Sequence, residues 1–130
     1  MAEKLFLELV SPEKLLVSAE VDTVFATGAG GAFGLYPDHS PFVTVLVPCV
    51  LTYSIGQETF KFVVSKGFLE VADNKVNVLT EKALDVKDIN KDNIQNEINT
   101  LKEELTKDIS DAEKSDKEIE LKFYEIALGL

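Results

Sequence analysis

Val50-Leu51-Thr52-Tyr53-Ser54-Ile55, then Gly56-Gln57, then Glu58-Thr59-Phe60-Lys61-Phe62-Val63-Val64-Ser65: two runs rich in β-branched and aromatic residues flank a two-residue glycine turn. Phe60, Phe62 and Val64 alternate with Thr59 and Lys61, the period of a strand with one buried face, so the stretch predicts a β-hairpin. The pattern repeats downstream. Phe68 to Ala72 and Lys75 to Thr80 flank Asp73-Asn74, two residues that tolerate the positive φ of a tight hairpin turn. Upstream, Leu5 to Val10, Leu15 to Thr27, Gly34 to Tyr36 and Phe42 to Val47 are further strand candidates. Many short strands at such spacing, with no helical pattern between them, predict an antiparallel sandwich or flattened barrel.

After Thr80 the period changes. Ile94, Ile98, Leu101, Leu105 and Ile109 recur every three or four residues, the stripe of an amphipathic helix. Ser110-Asp111-Ala112-Glu113 matches a capping box, in which the serine oxygen accepts from an early helix amide, so a second helix is expected to start there. Its apolar positions Ile119, Phe123 and Ile126, with Leu121, Tyr124 and Leu128 beside them, suit an antiparallel hairpin with the first helix.

Composition narrows the function classes. With 13 Lys+Arg against 23 Asp+Glu the formal charge is −10, and every one of the basic residues is lysine, which argues against nucleic-acid binding and removes bidentate guanidinium recognition of phosphate. The longest apolar stretch, Val43 to Leu51, is broken by Thr44 and Pro48 and is too short to span a bilayer. Met1 to Leu5 carries no export or import pattern, so a bacterial cytoplasmic location is expected. The single cysteine, Cys49, sits among Val47, Pro48, Val50 and Leu51 and reads as a small buried hydrophobe. Residues 81–130 carry 8 lysines and 14 acids, so most of the charge falls on the helices, where pairs such as Glu103 with Lys107 and Glu118 with Lys122 suit a solvated face.

Two constellations invite a chemical reading and fail it. Gly28, Gly31 and Gly34 follow a strand, but Leu35-Tyr36-Pro37 comes next where a phosphate loop needs a helix N-terminus. Asp38-His39-Ser40 holds the residue types of a hydrolase triad, yet adjacent residues do not converge on one proton-transfer line, and one histidine with one cysteine does not make a zinc site. No catalytic residue, cofactor or metal ligand is expected. On the residues alone the chain is a sandwich-plus-hairpin interaction module of unknown partner.

The run from Thr27 to Pro41, TGAGGAFGLYPDHSP, resembles the signature of the epsilon subunits of F-type ATP synthases, roughly TGxxGxxGxxPxHxP. Leu46-Val47-Pro48, the segment Val64 to Val71 and the strand Val76 to Leu79 extend the resemblance along the chain. It implies a ten-stranded sandwich over residues 1–84 and a two-helix hairpin over 85–130. It also implies a non-catalytic rotor part in which the sandwich grips the gamma subunit and rests on the ring of membrane c subunits. That would place the chain peripherally on the cytoplasmic face of a bacterial membrane. By resemblance, Gly28, Ala29, Gly30, Gly31 and Ala32, with Asp38 and His39, face the polar loops of the ring. The hairpin is the moving element in relatives, folded on the sandwich or extended toward the alpha and beta subunits.

Two departures from the family pattern carry expectations. The family's ATP-binding motif, I/L-D-x-x-R-A, aligns with Ile89-Asn90-Lys91-Asp92-Asn93-Ile94, where Asp, Arg and Ala are replaced by Asn90, Asn93 and Ile94; losing the guanidinium implies weak or absent ATP binding. Residues 110–130 hold 3 lysines and 6 acids, so docking on an acidic surface of the catalytic head is disfavoured and the hairpin is expected to restrain hydrolysis little.

Overall fold

Alternation builds the first part of the molecule. In β1 (Leu5–Val10), Leu5, Leu7 and Leu9 are fully buried while Phe6, Glu8 and Val10 face outward; in β9 (Lys75–Thr80) Val76 and Val78 are buried between exposed Lys75, Asn77 and Leu79. The structure, a computed structural model, describes residues 4–130; Met1 to Glu3, part of the stretch inspected for a targeting signal, lie outside them. The other strands are β2 (Leu15–Val21), β3 (Thr23–Gly28), β4 (Gly31–Leu35), β5 (Phe42–Leu46), β6 (Cys49–Ile55), β7 (Glu58–Val64), β8 (Gly67–Ala72) and β10 (Ala83–Asp85). They pair in the order β10-β7-β6-β3-β5-β8-β9-β1-β2, with β4 on β3. Only Gly28 and Leu46 pair between β3 and β5, so the sheet bends there into two halves that enclose one core. Each fully buried leucine or valine of that core contributes on the order of 1.5–3 kcal/mol.

The ten strands match the expectation, but the sheet is mixed, not purely antiparallel. β1 runs parallel to β9, with Leu7 opposite Val76 and Leu9 opposite Val78. A two-residue turn forces antiparallel pairing only on strands adjacent in sequence; β1 and β9 are joined through most of the sandwich, so their direction is free to follow the closure of the core. The segment Leu15 to Thr27 is two strands. At Asp22 the chain crosses from one half to the other: Val21 pairs with Leu5 on β1, while Thr23 pairs with Ser54 on β6. Asp22 holds that corner through Lys4 and through the Gly56 amide, which donates to its Oδ2 at 2.7 Å. Asp73 and Asn74 adopt φ of 51° and 61°, the turn expected of them.

β10, unsuspected from the sequence, adds to β7 through Ala83–Val64 and Asp85–Phe62, so a division at residue 84 falls inside a strand. A 3-10 turn at Val86–Asp88 then leads into α1 (Lys91–Glu104) and α2 (Asp111–Leu128). The apolar stripe overestimates α1, since Leu105 caps the helix and Ile109 lies in the connection. There the chain tightens, with Thr106 and Lys107 amides donating to the Glu103 and Glu104 carbonyls, and it must be free to reverse before the next cap. At that cap the Glu113 amide donates to Ser110 Oγ at 3.2 Å, and the Ser110 hydroxyl in turn reaches Glu113 Oε1 at 3.3 Å. The two helices lie folded against the sandwich, where Val63 of β7 joins Ile94, Ile98, Phe123 and Ala127 in a second, smaller core.

Candidate functional site

The glycine run forms the tip of a hairpin. Gly28 and Gly31 pair across the β3–β4 turn, and Gly31 has φ of 120°, which only glycine adopts without strain. Ala29 and Gly30 at the tip are exposed, and a side chain added at Gly30 would meet nothing within 4 Å. The turn is held to β5 by the Ala29 amide donating to the Val45 carbonyl at 2.9 Å.

Asp38 and His39 sit elsewhere. Asp38 has φ of 67°; its amide donates to Asn74 Oδ1 at 2.6 Å, and Asn74 Nδ2 donates to Asp38 Oδ1 at 3.3 Å. This ties the loop to the β8–β9 turn. Since Phe42 pairs with Val71 and Leu46 with Gly67, that turn lies at the opposite end of β5 from the glycine hairpin. The structure therefore does not bring Asp38 and His39 beside Gly28 to Ala32, but places the two groups about 13 Å or more apart by strand rise. His39 Nδ1 is 2.7 Å from the Ser40 carbonyl and its ring packs edge-on to Phe42, so the three hydrolase-like residues do not converge.

The degenerate nucleotide motif is spent on structure. Asn90 caps α1, accepting from the Asn93 amide at 3.1 Å; Ile94 is buried in the smaller core; Ile89 packs against that core. Asn93 is exposed in the first turn of α1. Cys49 is buried, and burial pushes its thiol up from the ordinary value against an opposing hydrogen bond from the Thr27 backbone. Among the described residues no group of three His, Cys, Asp or Glu is placed to hold a metal ion.

What the sequence does not disclose is a row across the outside of the second half-sheet. Val45 is opposite Phe68, Phe68 opposite Leu79, Leu79 opposite Val10, and Val10 opposite Leu15. Four of these five are exposed: Leu15 53%, Val45 49%, Phe68 57% and Leu79 56%. The next row on that face, Val43, Glu70, Asn77, Glu8 and Ser18, is largely polar. Val10, Val45, Phe68 and Leu79 stand out of phase with their strands' buried sets, which is a signal in the sequence; Leu15 is in phase with Val17 and Val21 and joins the row through the register shift at Leu9/Val10, so the alignment needs the register.

Residues 4–86 match the family model described as ATP synthase, Delta/Epsilon chain, beta-sandwich domain. The chain belongs to this family. It is 49% identical over 83 residues to an ATP synthase epsilon chain of Geobacter metallireducens, covering 64% of this chain and 60% of that one. It is 39% identical over 120 residues to one of Rhodospirillum centenum, covering 88% and 82%. In fold it is similar to a chain in the cryo-EM structure of the Euglena gracilis mitochondrial ATP synthase OSCP/F1/c-ring assembly, with a TM-score of 0.76 at 21% identity over 95% of this chain and 78% of that one. A chain of the Tetrahymena thermophila mitochondrial ATP synthase central stalk and c-ring gives 0.64 at 17% identity over 98% of each. Membership covers the delta/epsilon sandwich with its glycine hairpin and Asp38-His39 loop. No helix among the described residues is long and apolar enough to cross a membrane.

Proposed function

We propose that the chain is the non-catalytic epsilon subunit of a bacterial F-type ATP synthase, joining the gamma subunit to the c-subunit ring and turning with both on the cytoplasmic face of the membrane. Family membership supports this reading, and the observation that carries it is the apolar row Val10, Leu15, Val45, Phe68 and Leu79. Aligned apolar side chains on an outer sheet face suit a docking surface. The gamma subunit is the partner proposed for it. The hairpin tip at Gly28 to Ala32, small and backbone-rich, is the proposed ring contact, with Asp38 and His39 as a separate second one. Rotation needs a body that transmits torque, and a close-packed sandwich resists deformation.

Co-expression with the cognate gamma subunit followed by size-exclusion chromatography tests the reading. A stable 1:1 complex is expected. Phe68→Glu, at an exposed position, is expected to abolish co-migration while changing stability by no more than about 0.5 kcal/mol. Two folded proteins that elute separately, or a Phe68→Glu variant that binds as well as the parent, would overturn it. Ala29→Trp is expected to leave the gamma complex intact and weaken coupling to the ring.

A further inference from the structure

α2 carries the larger acidic excess of the two helices, and where it lies folded on the molecule two lysines of the sandwich meet it. Lys66, in the β7–β8 turn, places its Nζ 3.2 Å from Asp116 Oδ1. Lys82, in the link from β9 to β10, pairs with Glu120; its Nζ also lies 3.3 Å from Tyr124 Oη and 5.3 Å from the centre of the Tyr124 ring. Asp116 and Glu120 are four residues apart and share one face of α2.

The two lysines, distant in sequence, stand on one ledge. The Ser65 amide donates to the Lys82 carbonyl at 3.0 Å, and the Glu81 amide to the Lys66 carbonyl at 3.1 Å. Between them the Thr80 hydroxyl accepts from the Ser65 amide at 3.1 Å and donates to the Lys82 carbonyl at 2.9 Å. Ser65 and Thr80 are the buried polar residues of the described sandwich, so the backbone carrying both lysines is fixed from within. A third pair, Lys117 with Glu104 at 3.1 Å, ties α2 to α1 but not to the sandwich.

We propose that Lys66 and Lys82 form an electrostatic clasp for Asp116 and Glu120 that sets the balance between docked and detached α2 and makes it dependent on ionic strength. The apolar contacts of Phe123 and Ala127 hold the helix down in any salt; the clasp adds the adjustable part. Hydrogen bonding from Lys66 to Asp116, together with nearby Glu81, raises the Lys66 pKa, as a stabilised ammonium requires. The inference goes beyond the proposed subunit role and rests on the two ion pairs and on the smaller core under α2. The ledge continues the strands that carry Phe68 and Leu79, so the two readings are separated on the α2 side of the clasp, whose Asp116 and Glu120 lie outside the apolar row.

Hydrogen exchange on the full chain tests it. At about 0.01 M salt, where charges are felt over about 30 Å, the K66E/K82E variant is expected to exchange its α2 amides on the order of tenfold faster than the parent. Protection in β8 and β9 should stay unchanged. The four-residue swap, K66E/K82E with D116K/E120K, should return α2 to the parent rate, and about 1 M salt should shrink the difference between parent and K66E/K82E. Should K66E/K82E fail to fold, D116K/E120K, which leaves the sandwich intact, is read by the same criterion. Exchange within about twofold of the parent in the reversed variant at low salt, or failure of the swap to restore it, would overturn the clasp. Gamma co-migration of D116K/E120K, which changes no sandwich residue, is expected to persist, so failure of the clasp and failure of the rotor reading are separately visible.

Discussion

The sandwich and the hairpin are built on different scales of burial. In the sandwich, β1, β8 and β9 alone bury Leu5, Leu7, Leu9, Leu69, Val71, Val76 and Val78 to 1% exposure or less, and every strand is fixed by a neighbour on at least one side. The hairpin rests on Val63, Ile94, Ile98, Phe123 and Ala127, with partly buried side chains such as Leu84, Val86 and Ile89 around them. Strand pairing ties residues far apart in the chain, whereas the hairpin is joined to the sandwich through one short turn at Val86–Asp88. One region is a close-packed unit, and the other is held to it by a smaller core and one short link.

The sharpest break of that comparison is Phe123→Ala. Phe123 is 1% exposed and is the largest fully buried side chain, and its truncation is expected to cost about 3–5 kcal/mol of docking. If the hairpin is a separable unit, that loss appears as fast exchange in α1 and α2 with β1 and β9 still protected; loss of protection everywhere would show that the two regions unfold together. Leu7→Ala is the mirror experiment. It should lower global stability by about 2–5 kcal/mol, measured by denaturant unfolding, because no smaller opening relieves a cavity between parallel β1 and β9.

Ser110→Ala sharpens the comparison at smaller scale. Losing the cap on α2 is expected to cost about 1 kcal/mol, and it should be read by exchange in the first turn of α2 without any change in sandwich melting. A uniform fall in stability would mean that the hairpin contributes cooperatively to the whole chain.

Sequence and structure agree where the pattern is local. The hairpins at Gly56-Gln57 and Asp73-Asn74, and the Ser110 cap, are set by residues within a few positions of one another. Misreadings fall where distant residues decide. The parallel β1–β9 pair, the corner at Asp22, and short β10 depend on which strands the core brings together. The outer apolar row is of the same kind: Phe68 and Leu79 are each visible as out-of-phase residues, but only pairing across β8 and β9 makes them one surface. The resemblance marked Gly28 to Ala32 together with Asp38 and His39, whose sequence proximity hides that β4 carries the chain away from the glycine turn before the Asp38 loop begins. Ala127 is fully buried in the smaller core, which a hydrophobic stripe of large residues does not reveal.

The smallest expected effect concerns the Asp22 corner, and it separates the regions by pH. The Lys4 hydrogen bond first, then the Gly56 amide, hold the Asp22 carboxyl below its ordinary value of 3.8, outweighing what desolvation adds. A carboxylate depressed in the folded state stabilises it above the unfolded value and loses that contribution as pH falls through the folded one. Asp22→Asn keeps an acceptor for the Gly56 amide but gives up the charge that Lys4 meets. Its melting temperature should therefore lie slightly below the parent's at neutral pH, with the gap closing as both are acidified past the depressed value. Exchange at neutral pH should quicken at the ends of β2, β3 and β6, which meet at this corner, and not in α1 or α2. A gap that stays constant down to strong acid would place the effect of the substitution in packing and not in the ionised carboxylate.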